Sequence, residues 1–114
     1  MSKFVFDKEN LVSILSLTKE LSKIDKDISL ITVGIFAFVC IYEGTNNTDV
    51  GNYFKINKAK VSRNIQILST VARTRNSGKG LGLIESREDA KDFRKKTLYV
   101  TTKGEKLKKF LMVI

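Results

Sequence analysis

The sequence contains no histidine, no proline, no tryptophan and a single cysteine, Cys40. Lack of histidine removes the usual general base, every Ser-His or Cys-His nucleophile pair, and zinc sites built on Cys/His spacing. One cysteine forms no intramolecular disulfide. The expectation is a protein that is not an enzyme and holds no metal and no cofactor. With proline absent, glycines and polar clusters supply all the chain's punctuation. Long apolar runs are missing too: Ile35 to Tyr42 is the longest, far below the ~20 residues of a membrane helix. Met1-Ser2-Lys3-Phe4 lacks the apolar core of a signal peptide. No stretch combines a basic polar face with a lipid-facing aromatic one. The expected location is the cytoplasm, with no membrane partner.

What is present is the composition of one folded domain. The 114 residues are 42% hydrophobic and 29% charged, ordinary for a globular chain and unlike a disordered one. Residues 1–114 are read as one body. The net charge of +9 is unevenly placed. Met1 to Phe54 holds 5 basic against 7 acidic residues, whereas Lys55 to Ile114 holds 16 against 5, a net of +11. A positive half of this kind suits a surface that displaces counterions from phosphates.

Periodicity gives the elements. Leu11, Ile14, Leu15, Thr18, Leu21 and Ile24 recur at helical steps and predict an amphipathic helix over Lys8 to Lys23. Ile31 to Tyr42 is apolar almost all round; its length favours a buried helix, with Thr32 as N-cap and Gly44 as stop. Thr48 is expected to cap a short helix over Asp49 to Phe54. After the turn Lys55-Ile56-Asn57 a further helix runs from Lys58 to about Ala72, with Val61, Ile65 and Leu68 facing inward. A short helix, a tight turn and a longer helix rich in base-reading groups form a helix-turn-helix pattern. The glycine-rich stretch Gly78-Lys79-Gly80-Leu81-Gly82 lacks the strand before and the helix after it that a nucleotide-cradling loop needs, and reads as a connection. Leu83 to Arg87 and Thr97 to Thr101 read as strands flanking a charged hairpin tip. A last helix starts at Thr102, where Thr102-Lys103-Gly104-Glu105 has capping-box spacing.

Asp89-Ala90-Lys91-Asp92-Phe93-Arg94, followed by Leu98-Tyr99-Val100-Thr101-Thr102-Lys103-Gly104, resembles the wing of the MarR family of bacterial transcriptional regulators, which commonly reads D-P-x-D-x-R and leads into L-T-x-x-G. Ile56-Asn57-Lys58-Ala59-Lys60-Val61-Ser62-Arg63 resembles the start of that family's recognition helix. The resemblance covers roughly Leu30 to Leu107. It implies an α+β, mostly α fold: a winged helix-turn-helix with a two- to three-stranded wing sheet. Two departures stand out. Ser69 to Gly82 is longer than the family's usual connection and either lengthens the recognition helix or reaches the DNA backbone through Arg73, Arg75 and Lys79. The family's long terminal dimerisation helices are reduced to residues 1–24 and 102–114.

The function expected is sequence-specific binding of double-stranded DNA by a transcriptional regulator, in the sense of a repressor that occupies a promoter. Residues Lys58 to Leu68 as a helix span about 16 Å and suit the major groove. Lys58, Lys60, Ser62, Arg63, Asn64 and Gln66 are the candidate contacts there, Arg pairing with guanine and Asn or Gln with adenine. The resemblance implies that Arg94 enters the minor groove, whose negative potential favours arginine, and that Asp92, with Asp89, holds the hairpin. Arg87, Lys91, Lys95 and Lys96 are then phosphate contacts. Cys40 sits among apolar neighbours and reads as an inert packing residue, not a redox sensor. The apolar stretch Phe110 to Ile114 either folds onto its own first helix or pairs with Leu11, Leu15 and Leu21 of a second copy; the homodimer is favoured. The alternative function is a DNA-binding accessory or replication protein of a mobile element. No residue points to a small-molecule effector.

Overall fold

The computed structural model describes residues 8–69, 80–88, 91 and 96–113. Chain order is α1 (Lys8–Ile24), α2 (Leu30–Ile41), α3 (Asn47–Phe54), α4 (Lys58–Leu68), β1 (Ile84–Glu88), β2 (Lys96–Val100) and α5 (Thr102–Val113). The strands pair antiparallel with Ile84 opposite Val100 and Glu88 opposite Lys96. Thr45 adds one bridging residue beside Leu98, held by Gly44 N donating to Leu98 O (2.8 Å) and Leu98 N donating to Thr45 O (2.8 Å). A sheet of two strands with a one-residue third member fits the expected wing sheet.

The core is where the apolar stripes converge. Ile35, Phe36 and Val39 of α2, Val50 of α3, and Val61, Ile65 and Leu68 of α4 close over Leu83, Ile84, Leu98 and Val100. Central α2 is apolar on most sides because it has neighbours on most sides: it packs on α4 and β2, its Phe38 meets Tyr53 and Phe54 of α3, and its Cys40 shares a cleft with Lys108 and Leu111 of α5. Only the C-terminal half of α1 joins this core, through Leu21 with Leu17 and Ile24 beside it. Leu11, Val12, Ile14 and Leu15 are half or more exposed.

The caps of three helices differ from expectation, by three residues at α2, two at α3 and one at α5, which nonetheless starts at Thr102 as expected, and they differ for one reason. The cap is the last extended residue whose side-chain oxygen reaches the amide three residues on. Ser29 Oγ accepts from Thr32 N (3.1 Å), Asn46 Oδ1 from Asp49 N (2.8 Å) and Thr101 Oγ1 from Gly104 N (3.0 Å). Thr32, Thr48 and Thr102 therefore lie inside α2, α3 and α5 and do not cap them. The strands slide by one residue similarly. Leu83 N is spent on Leu68 O (2.7 Å), so β1 begins at Ile84.

The segment after α4 also departs from expectation. The helix ends at Leu68, with Ser69 extended (φ −82°, ψ 177°), short of Ala72. The chain returns beside that end: Leu81 N donates to Ile67 O (2.8 Å), Gly82 N to Ser69 O (3.0 Å) and Leu83 N to Leu68 O. Carbonyls at a helix C-terminus lack intrahelical partners, and here the returning strand satisfies three of them. The longer connection leaves and re-enters at one place and does not lengthen α4. Among the described residues no helix is long and apolar enough to cross a membrane.

Candidate nucleic-acid interface

The site begins with how α4 is held. Gly51 of α3 allows a close approach: a Cβ there would lie 3.2 Å from Ile56 O and 3.3 Å from Val61 Cγ2. The turn that follows is made by Lys55 in the left-handed region (φ 56°, ψ 48°), its amide donating to Gly51 O. Asn57 then caps α4, accepting from Lys60 N at 2.8 Å. These contacts fix the short helix, the tight turn and the longer helix as one unit.

The buried side of α4 is Val61, Asn64, Ile65 and Leu68. At about 100° per residue, the opposite side carries Ala59, Ser62, Arg63 and Gln66, with Lys58 and Lys60 at its margins. Lys58, Ala59, Lys60, Ser62 and Arg63 are exposed and Gln66 is half-buried. The ion pairs among the described residues are Lys23–Glu20 (3.4 Å) and Arg87–Glu85 (2.6 Å). The ammonium groups of Lys58 and Lys60 and the guanidinium of Arg63 therefore have no carboxylate partner among the described residues. Lys60 and Arg63 border a cleft of about 240 Å³ whose other wall carries Asp25 and Asp27 of the α1–α2 turn.

Asn64 corrects the sequence reading. It is 5% exposed, its Oδ1 accepts from Thr32 Oγ1 at 2.5 Å, and its Nδ2 donates to Lys60 O at 2.9 Å. A side chain held in this way cannot reach a base edge. Periodicity placed Val61, Ile65 and Leu68 inside but missed Asn64 because its type is usually exposed. A polar residue falling within the apolar stripe was the available signal.

On the wing, Arg87 is already engaged by two partners. Its Nε donates to Glu85 Oε2 and its guanidinium lies 4.1 Å from the centre of the Tyr99 ring. Glu85, Arg87, Thr97 and Tyr99 share the outer face of the ribbon, while Ile84, Leu98 and Val100 face the core. Lys91 and Lys96 are exposed. Arg73, Arg75, Lys79, Asp89, Asp92, Arg94 and Lys95 lie outside the described residues. Lys55 is an exposed cation at the turn before α4 that sequence reasoning treated only as a turn residue.

The threonine and glycine of the wing motif have a structural task. Thr101 Oγ1 caps α5 and donates to Gly82 O (2.6 Å). A Cβ on Gly104 would collide with Leu83 O and stand 2.7 Å from Val100 Cγ1. This pair locks α5 to the base of the wing.

Cys40 is half-buried beside Ala37, Ile41, Lys108, Leu111 and Met112. Burial raises its thiol pKa to about 11 against a smaller lowering effect of Lys108. Thiolate is the reactive form, so this environment opposes redox reactivity.

No protein-family model and no curated protein sequence matches the chain. Solved structures do match in fold. A MarR crystal structure superposes with a TM-score of 0.65 at 18% identity, over 94% of this chain and 74% of the other. A MepR variant of S. aureus bound to an oligodeoxyribonucleotide gives 0.60 at 22% identity, over 95% and 75%. FabT of Streptococcus pneumoniae in complex with DNA gives 0.61 at 18% identity, over 90% and 68%. The fold is the winged helix-turn-helix of MarR-type regulators, and identities this low establish the fold alone.

Proposed function

We propose that this chain, folded as a MarR-type winged helix, is a sequence-specific double-stranded DNA-binding transcriptional regulator that represses by occupying a promoter. The observation that carries the reading is the outer face of α4: exposed Ser62 and Arg63 and half-buried Gln66, flanked by Lys58 and Lys60, on a helix of groove size seated in a helix-turn-helix. The +11 net charge of residues 55–114 supplies the sequence-independent attraction to phosphate. Two solved proteins of the same fold, MepR and FabT, were captured with nucleic acid, which adds support.

In this reading α4 lies in the major groove, where Arg63 and Gln66 read base edges and small Ala59 and Ser62 let the helix approach. Lys58, Lys60 and Lys55 contact phosphates. The wing tip with Arg94 enters the minor groove, and Lys91, Lys95 and Lys96 hold the backbone beside it. Arg87, bound to Glu85 and stacked on Tyr99, stiffens the ribbon and adds a weaker phosphate contact. A homodimer supplies two such units, one per half-site. Its contact surface is Leu11, Ile14 and Leu15 of α1 with Met112 and Val113 of α5, all exposed in the single chain. Leu21 belongs to the protomer's own core at 6% exposure and is not part of that surface.

Selection from random duplexes with wild type and Arg63→Ala in parallel tests the reading. A sharp, two-fold consensus is expected. Arg63→Ala should flatten it at one position by about 1–3 kcal/mol, whereas Lys95→Ala should weaken all duplexes alike and lower the salt slope by about one. Tight binding without a consensus would instead favour a DNA-binding accessory or replication role. Binding insensitive to salt would remove nucleic acid as the partner.

A further inference from the structure

The buried polar contact between α2 and α4 lies on the apolar side of the helix that presents the candidate reading residues. Thr32 is 2% exposed and Asn64 5%. Ser29 Oγ and Thr32 Oγ1 are 2.7 Å apart, Thr32 Oγ1 donates to Asn64 Oδ1 at 2.5 Å, and Asn64 Nδ2 donates to Lys60 O at 2.9 Å. The direction is determined throughout. Turning the Asn64 amide over would set its oxygen against the Lys60 carbonyl, acceptor on acceptor. Thr32 has one proton and gives it to Asn64, so Ser29 must donate to Thr32. The relay joins the N-cap of α2 to the first turn of α4, and no buried side-chain polar atom among the described residues is left unpaired.

We infer that Thr32 and Asn64 act as a positioning pair that sets the rotation of α4 about its own axis, and with it which side chains face a duplex; the inference rests on the nucleic-acid reading above. Val61, Ile65 and Leu68 hold α4 through apolar contact, which has no preferred direction. Turning a helix by about 20° moves a side chain some 6 Å from its axis by about 2 Å. Apolar packing absorbs part of such a turn, but a hydrogen bond limited to a range of roughly 0.5 Å does not. Arg63 adjoins Asn64 in sequence and projects from the same turn, so the pair controls where its guanidinium points. A polar contact of this kind adds orientation more than stability, because replacing both partners by apolar groups of like shape can be nearly neutral.

The test uses the full chain as wild type, the double variant Thr32→Val/Asn64→Leu, and Thr32→Ser, which retains the hydroxyl. Each is measured on the best selected duplex and on a scrambled duplex of equal composition. The double variant is expected to keep its melting temperature and its affinity for scrambled DNA, while the ratio of the two affinities falls about tenfold, the scale of one good base contact. Thr32→Ser should preserve the ratio. A native ratio in the stably folded double variant would overturn the inference. If that variant melts early, Thr32→Val alone is read in its place by the same ratio. If wild type binds neither duplex, the functional reading fails by itself, and amide spectra decide the positioning role. Shifts across Lys58–Leu68 in the double variant but not in Thr32→Ser support it, and unchanged spectra overturn it.

Discussion

Lys55 occupies the left-handed region at the end of α3 (φ 56°, ψ 48°), where a β-carbon costs roughly 1–2 kcal/mol and glycine costs little. Its neighbours gain from the strain, since the turn lets Ile56 N reach Gly51 O (3.1 Å) and starts α4 at a fixed distance. Lys55→Gly is expected to stabilise the protein by about 1 kcal/mol, a rise of roughly 4 °C in melting temperature. Thermal unfolding followed by circular dichroism checks this. Under the proposed function the same change weakens duplex binding through loss of one cation. Cys40 offers a second residue-level outcome. Its pKa near 11, against an ordinary 9.0, comes first from burial. The folded state thus favours the neutral thiol. The associated stability is whole below pH 9 and is lost as pH rises from 9 to 11. At pH 8 the native thiol carries about a hundredfold less thiolate than the unfolded one, so alkylation by iodoacetamide should be slow until denaturant is added. Neither property could be read from residue type: a lysine gives no signal of positive φ, and the burial of Cys40 was inferred only from apolar neighbours.

At the scale of elements, helices and strands were legible because their periodicity repeats over several turns, whereas their ends depend on single hydrogen bonds. At α3 and α5 the mistaken cap was the wrong member of a run, Asn46-Asn47-Thr48 and Thr101-Thr102, and at α2 it was Thr32 in place of Ser29, three residues before. Only the folded backbone shows which oxygen meets which amide. The T-x-x-G motif at Thr101 to Gly104 was found by resemblance, and the fold supplies its reason: Thr101 caps α5 and ties it to Gly82, and Gly104 leaves room for the Leu83 carbonyl. Gly104→Ala should therefore cost about 2 kcal/mol or more through overpacking, lowering the melting temperature by roughly 10 °C. A variant with native thermal stability would contradict the close approach. Most of the candidate reading set on α4 was likewise legible as the polar side of an amphipathic helix. Asn64 was not, because its partner Thr32 lies 32 residues earlier and only packing brings them together.

At the scale of the molecule, the first half of α1 stands away from the core it belongs to. Leu15 is 69% exposed and Leu11 50%, an apolar face left uncovered among the described residues. Under the proposed dimer, light scattering at micromolar concentration should give twice the 12.9 kDa chain mass. Leu15→Lys should halve that mass without loss of helix content. It should also weaken binding to a two-half-site duplex far more than to a single half-site. A wild-type mass of one chain would remove the dimer while leaving the winged helix intact.

Composition and periodicity by themselves determined a mostly helical α+β fold, the order of its elements, the segregation of positive charge into the second half, and the lack of histidine-based chemistry. These are properties of local pattern and of residue counts, which survive unfolding. Tertiary structure alone decided that α4 stops at Leu68, that Asn64 turns inward to Thr32, that Arg87 is engaged by Glu85 and Tyr99, and that α1 is only partly covered. The end of α4, the Asn64–Thr32 contact and the stacking of Arg87 on Tyr99 each depend on groups distant in the chain meeting at hydrogen-bond or van der Waals distance, which no short window along the sequence contains, whereas the Arg87–Glu85 pair is local.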